Sequence, residues 1–317
     1  MKVTVALIVF VCLIALGVII FCMNLPFGRS IGVTFSVVDD RGTPVPEARI
    51  KGYFNDPRKS NDAGTHYDVL TNDRGVCKVK GVGYSFTECT VKKMGYYSSR
   101  YHLRLKENDK SVSKLTVVLK KIRNPISMKV RNIDFDLPSK EQYYPFDLDI
   151  GDLVEPYGKG KKANIYIYYY GQHKDIFTGE SSFRIKVSDS NQGLKLMSFD
   201  DYSQFKTVYD APVNAYTNQL EFQSKRTKTE RLVDSKIKKN EYIVFKCQNS
   251  TNEKMYNYGK ILPDLSYWPQ EDQTVKVKFT YYYNPIPNDR NLEFNPEKNL
   301  IKTVDFRGKD NSDRFKP

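Results

Sequence analysis

Apolar and polar positions follow three regimes along the chain. Residues 3–23, VTVALIVFVCLIALGVIIFCM, are 21 residues without a charge. As a helix they would span about 30 Å, the thickness of a hydrocarbon core. From residue 31 the pattern alternates with period two in short runs separated by turn residues, which is the mark of half-buried strands. Seven such runs are expected at 32–38, 48–53, 67–70, 76–80, 86–91, 101–105 and 114–119. Beyond residue 123 the clearest strands are 163–170, 182–187, 241–246 and 274–283, with weaker candidates at 220–224 and 301–306. A helical period is never sustained, although Thr229 to Lys239 could form a short surface helix. The tail 307–317 has no periodicity and is expected to be flexible. The expectation is an all-β body: an N-terminal anchor at 1–30, a β-sandwich over 31–122 and a second, β-rich antiparallel sandwich over 123–306. Lys120 to Pro125 forms the junction, where Pro125 holds Asn124 extended.

The apolar run is longer than the core of a secretory signal, and residues 22–27, CMNLPF, offer no small-residue cleavage site. An uncleaved single-pass anchor is therefore expected, with the membrane as a partner through residues 3–23. Cleavage would instead release a soluble secreted protein. Basic residues flank the run almost evenly, Lys2 before it and Arg29 and Arg41 after it, so they leave the orientation open. Cys77 and Cys89 bear on it: a hairpin centred on Gly83 would set them opposite each other, close enough for a disulfide. Such a bond requires an oxidising compartment and so a body outside the cell membrane. Two buried thiols are the alternative reading, and Cys247 is read as a buried thiol without a partner.

Val37 to Ala48, VVDDRGTPVPEA, resembles the opening of the carboxypeptidase regulatory-like domain, a transthyretin-like sandwich. In that family an Asp/Gly turn leads through "P-V-x-x-A" into the second strand. Thr71 to Gly75, TNDRG, resembles its later turn before a core strand, and Lys93 to Tyr97, KMGYY, resembles its "K-x-G-Y" turn. Gly42, Gly75 and Gly95 suit positive-φ turn positions, and Ala48 suits tight packing between sheets. The resemblance covers about residues 31–120 and implies a seven-stranded transthyretin/Ig-like sandwich, accessory and non-catalytic, of the kind found in cell-surface proteins. The insert at 55–64 departs from the pattern, and no family is recognised for the second domain.

The chain of 317 residues carries 50 Lys+Arg against 37 Asp+Glu, a formal +13, and 40% hydrophobic residues including 23 Tyr and 18 Phe. Such aromatic content excludes a disordered chain. Three histidines leave little material for His-based catalysis or a multi-His metal site. His102 is read as a solvent-facing strand residue. No G-x-S-x-G, H-E-x-x-H, P-loop or C-x-x-C motif occurs, so no catalytic residues, metal or cofactor are assigned. An EF-hand counted from Asp147 fails, with Gly151 at position 5 and Gly158 at position 12; a looser set would use Asp134, Asp136, Asp147 or Asp149.

Two places could bind. By alternation Tyr166, Tyr168 and Tyr170 share one strand face, an aromatic platform suited to sugar or protein recognition; packing against Tyr281 to Tyr283 is the alternative. Asp289, Arg290 and Glu293 gather on the loop after a strong strand, where they could equally build a capped turn. Asn249-Ser250-Thr251 is a lone glycosylation sequon. Basic spots lie at Gly158 to Lys162 and at Lys225 to Lys239, the latter with seven positive and two negative residues, a net +5. Beside a bilayer they favour anionic lipid or an acidic envelope polymer. With the body outside and no nucleic-acid-binding signature, nucleic acid is not an expected partner. The resulting expectation is a non-catalytic binding or structural module of the cell envelope, with an unidentified protein partner possible. The competing reading is a polysaccharide hydrolase with two carboxylates in a cleft lined by Tyr166, Tyr168 or Trp268.

Overall fold

Alternation is realised most cleanly where the first sandwich begins: Ile31, Val33, Phe35 and Val37 are buried and the residues between them are not. The computed structural model describes residues 29–55, 65–83, 86–104, 113–173, 178–199, 202–234, 237–269 and 274–301. The expected anchor at 3–23, most of the insert at 55–64, the strand expected at 301–306 beyond its first residue and the tail at 307–317 lie outside them. Among the described residues twenty strands form four sheets, and no helix is long and apolar enough to cross a membrane. The described residues are all-β. The chain divides into two units, residues 1–121 with 202–204 and residues 122–201 with 205–317.

The first unit contains β1 (Arg29–Asp39), β2 (Arg49–Phe54), β3 (His66–Leu70), β4 (Val76–Gly83), β5 (Phe86–Lys92), β6 (Ser99–Arg104) and β7 (Ser113–Leu119). They form a three-stranded sheet, β4-β1-β7, and a four-stranded sheet, β3-β2-β5-β6. Phe35, Val37, Val79, Val117 and Leu119 from the first sheet meet Ile50, Phe54, Cys89, Val91 and Tyr101 from the second in one buried cluster. A sheet with one apolar face must bury it against another layer, and this two-sheet core does so. Gly42, Gly75 and Gly95 take φ of 81°, 70° and 81°. At Gly75 a side chain is excluded twice, because a Cβ would also stand 2.4 Å from the Val37 carbonyl.

The hairpin expected to join Cys77 to Cys89 does not form. Cys77 pairs with Phe35 in one sheet, whereas Cys89 lies between Gly52 and Tyr101 in the other. The chain crosses from sheet to sheet between β4 and β5, which carries the two cysteines into different layers of the sandwich. Both thiols are free, and burial raises them to about 11 for Cys77 and about 12 for Cys89.

The second unit contains β8 (Ile126–Leu137), β9 (Tyr143–Asp147), β10 (Asp152–Leu153), β11 (Ile165–His173), β12 (Gly179–Lys186), β13 (Gly193–Ser198) and β14 (Gln219–Arg226). It continues with β15 (Arg231–Asp234), β16 (Glu241–Gln248), β17 (Tyr256–Ile261), β18 (Ser266–Pro269), β19 (Val275–Asn284) and β20 (Phe294–Asn299). A six-stranded sheet runs β10-β9-β11-β12-β14-β15, and a seven-stranded sheet runs β13-β16-β17-β19-β8-β20 with β18 on β19. Their facing sides build the larger core, with Phe146, Ile165, Ile167, Tyr169, Phe183 and Phe222 against Phe245, Val277, Phe279, Tyr281 and Tyr283. Among the described residues of the surface helix expected from Thr229 to Lys239 none is helical; residues 231–234 form β15, an edge strand on β14. A helix that short is marginal in water, whereas an existing strand edge offers main-chain partners at once.

The two sheets of this unit differ on their outer sides. On the seven-stranded sheet, Tyr242, Val244 and Tyr258 pack with Ala211, Val208, Tyr216 and Leu292, and Met128, Val130 and Tyr282 pack with Phe294. That second covering explains why Phe279 to Asn284 are all buried instead of alternating. No comparable apolar layer of described residues covers the outer side of the six-stranded sheet.

Candidate functional site

On that open side the tyrosine strand divides as alternation requires. Ile165, Ile167 and Tyr169 are buried at 0%, 0% and 1% exposure, while Tyr166, Tyr168 and Tyr170 point outward and are half-buried. Tyr281 and Tyr283 belong to the core beneath and Tyr282 to the far side of the facing sheet, so none of them stacks on the outer tyrosines.

Register supplies the neighbours. Tyr168 stands between Tyr143 of β9 and Arg184 of β12, and Arg184 pairs onward with Glu221 of β14. Tyr166 stands between Pro145 and Lys186, and Lys186 pairs with Gln219. The Tyr143 and Tyr168 rings lie 4.8 Å apart, tilted by 35°. Lys186 Nζ is 3.7 Å from the centre of the Tyr143 ring and 5.6 Å from that of Tyr166. The Arg184 guanidinium lies 5.0 Å from the centre of the Tyr168 ring. These are cation–π distances, and they hold the rings and cations as one layer. The Tyr143 hydroxyl donates to Gln219 Oε1 at 3.2 Å, and that of Tyr170 to Glu180 Oε1 at 3.4 Å.

Glu221 is the anchor of the polar part. Ser182 Oγ donates to it at 2.6 Å, Gln223 Nε2 at 2.9 Å and Arg184 at 3.0 Å. Led by the Ser182 hydrogen bond, these donors hold its carboxyl down at about 2. A general acid needs a carboxyl raised toward neutrality, so Glu221 is built to position Arg184 rather than to deliver a proton. Trp268 lies on β18 in the other sheet, with Lys278 Nζ 5.5 Å from its ring centre, and is not part of this surface. The arrangement can present a firm aromatic and hydrogen-bonding face to a flat, hydroxylated ligand.

The second sequence-based candidate is a turn. Glu293 is 1% exposed, and its two carboxylate oxygens accept the Arg123 and Asn124 amides at 2.9 and 2.7 Å. Arg290 donates to the Ala211 carbonyl, and Asp289 accepts the Asn291 amide at 3.1 Å and the Asn284 side-chain amide at 3.1 Å. Asp289, Arg290 and Glu293 thus fold the main chain and do not converge on a ligand site. The looser aspartate set is likewise occupied. Asp147, 3% exposed, accepts four main-chain amides, from Asp149, Ile150, Lys161 and Lys162, at 2.9–3.1 Å. Asp134 pairs with Lys276 and Lys278, Asp136 with Lys276, and Asp149 with Lys129. Among the described residues no group of three or more His, Cys, Asp or Glu could hold a metal ion. The sequon is also structural: the Asn249 side chain is buried and bridges Thr251, Asn252 and Asn257.

In the first unit a shallow open pocket of about 440 Å³ lies over Gly52, where a Cβ would stand 2.2 Å from the Glu88 carbonyl. One row of paired residues crosses all four strands beside it: His66, Tyr53, Glu88 and His102. Glu88 accepts the Tyr53 hydroxyl at 3.1 Å and faces Arg100 at 3.5 Å and His102 at 3.9 Å. The row is a cross-strand polar network on an outer sheet face.

No protein-family model and no curated protein matches the chain. Solved structures with similar backbones include the shaft pilin SpaA from Lactobacillus rhamnosus GG, in a D295N form. It is 12% identical with a TM-score of 0.24, over 83% of this chain and 96% of the pilin. A putative carbohydrate binding protein from Bacteroides uniformis is 10% identical with a TM-score of 0.18, over 82% of this chain and 98% of that one. The 3-chlorocatechol 1,2-dioxygenase from Rhodococcus opacus 1CP is 13% identical with a TM-score of 0.27. That match covers 31% of this chain, which spans 62% of the dioxygenase's length.

Proposed function

We propose that this protein is a single-pass membrane protein that presents its β units outside the cell membrane and binds an envelope polymer without catalysis. The observation that carries the binding reading is the outer face of the six-stranded sheet. There Tyr143, Tyr166, Tyr168 and Tyr170 lie half-buried beside fixed cations, in a unit whose other sheet is covered on both sides. Rigid aromatic side chains offer large contact area at low entropic cost, and loss of such a face to solvent needs a compensating role. The anchor reading rests on the uncharged run 3–23. The outward orientation rests on the carboxypeptidase regulatory-like resemblance to an accessory sandwich of cell-surface proteins, with which the two facing sheets of the first unit agree, and not on the cysteines, which lie in different sheets.

The test has two parts. In fractionated cells the chain should remain with membranes after a carbonate wash, and protease added to intact cells should remove a C-terminal tag. Digestion only after lysis would reverse the orientation, and protein free in the medium whose N-terminus lies near residue 18 or beyond 24 would establish cleavage and secretion. Binding is read separately, by titrating the detergent-solubilised chain and its Tyr168→Ala variant with envelope polysaccharides. Equal binding by the two proteins would remove the tyrosine face as the site.

A further inference from the structure

The tyrosine face is not electrically uniform, and its asymmetry specifies the ligand. Of the two cations that lie against the tyrosine rings, Arg184 is neutralised by Glu221 at 3.0 Å. Lys186 is not: among the described residues it pairs with no carboxylate, and its ammonium is held over the Tyr143 and Tyr166 rings. At the opposite end, Tyr170 meets Glu180, which is itself paired with Lys225 at 3.1 Å. The surface therefore runs from one uncompensated positive charge, through stacked tyrosines, to a charge-balanced hydrogen-bonding end. From Tyr166 to Tyr170 the platform extends about 13 Å along the strand, long enough for a short oligosaccharide rather than one ring.

We infer that this face binds an acidic polysaccharide: pyranose rings lie on Tyr143, Tyr166 and Tyr168, and a ring-borne carboxylate pairs with Lys186. The inference rests on the reading of the face as a binding surface and adds the chemical class. The Lys186 charge sits 3.7 Å from an aromatic ring centre, so the partner anion must be attached close to a flat, stacking body. A carboxylate carried directly on a sugar ring meets that condition. A polyol phosphate chain has the charge but no ring to stack, and a neutral glycan has the ring but leaves Lys186 uncompensated. The formal charge of +13 favours the encounter with a polyanion at a distance.

The full chain in detergent is titrated with oligogalacturonate, with the same oligomer after reduction of its carboxyl groups, and with polyglycerol phosphate. Oligogalacturonate should bind, and carboxyl reduction should weaken it about tenfold or more, the scale of one charge-assisted contact. Lys186→Gln should reproduce that loss and bind the native and reduced oligomers alike. Tyr168→Ala should weaken both oligomers, and Lys254→Gln, on an exposed loop of the other sheet, should change neither. Circular dichroism of each variant separates loss of binding from loss of fold. Equal binding of native and reduced oligomers by the unaltered protein, if abolished by Tyr168→Ala, would keep the binding face and overturn its acidic specificity. Preference for polyglycerol phosphate would overturn the sugar-carboxylate assignment. Binding indifferent to both Tyr168→Ala and Lys186→Gln, or no binding of any polymer, would overturn the inference and the binding face together.

Discussion

Single side chains settle which of the chain's chemical groups are free to act. Asp147, Glu293 and Asn249 carry functional-looking chemistry, yet each is buried and occupied by main-chain amides. Asp147→Ala would leave four amides without their acceptor, and the expected cost is roughly 2–4 kcal/mol, read as a lowered midpoint in urea. Glu221 gives a pH dependence of known sign. Its carboxyl is near 2 when folded against an ordinary 4.5, so the folded protein holds fewer protons there. Its contribution is complete above about pH 5 and is lost as pH falls through the folded value. Thermal stability should decline over that window, and Glu221→Gln should flatten the decline; an unchanged profile would remove Glu221 as its source. The cysteines make a third expectation. With Cys77 near 11 and Cys89 near 12, thiolate is scarce at pH 8, so a disulfide reagent should react slowly with the native protein and quickly after denaturation. Fast native reaction at Cys89 would contradict its buried placement, and at Cys77 its raised pKa.

At the scale of strands, alternation located the tyrosine platform, because a period of two assigns Tyr166, Tyr168 and Tyr170 to one side whatever lies beyond them. In the structure Arg184 and Lys186 face away from the buried Phe183 and Ile185, but nothing local indicates that these residues lie beside the tyrosines. That depends on the pairing of β11 with β9 and β12, whose partners Tyr143 and Lys186 are remote in sequence from one another. Close approach of strands brings its own test at Gly52. Gly52→Ala would drive a methyl group to 2.2 Å from the Glu88 carbonyl and 2.5 Å from the Tyr67 hydroxyl, so β2 and β5 must separate. A loss of stability beyond about 1 kcal/mol, more than the ordinary effect of such a change in a strand, is expected in denaturant unfolding. A neutral result would show that the strands can shift to admit it.

Across the whole molecule, net charge sets the conditions of the proposed binding. A chain with a formal +13 should lose affinity for a polyanion as salt rises, because exposed charges are screened within about 8 Å at physiological ionic strength. Titration at 50 and 300 mM salt should show weaker binding at the higher value for the acidic oligomer and little change for its carboxyl-reduced form. Salt-independent affinity would assign the interaction to stacking alone.

The all-β character, the strand positions of the first unit, the three positive-φ glycine turns and the common face of Tyr166, Tyr168 and Tyr170, though not its outward direction, were legible in the sequence. Each depends on local alternation or on the backbone freedom of one residue. Edge and sheet assignment were not. The separation of Cys77 from Cys89 into facing sheets, the strand at 231–234 and the covering that buries Phe279 to Asn284 on both sides all depend on contacts between distant segments. For the same reason only the tertiary structure set Lys186 against Tyr143 and Tyr166 while neutralising Arg184 with Glu221. Side-chain period is a property of one strand, whereas strand register and the compensation of a charge are properties of its neighbours.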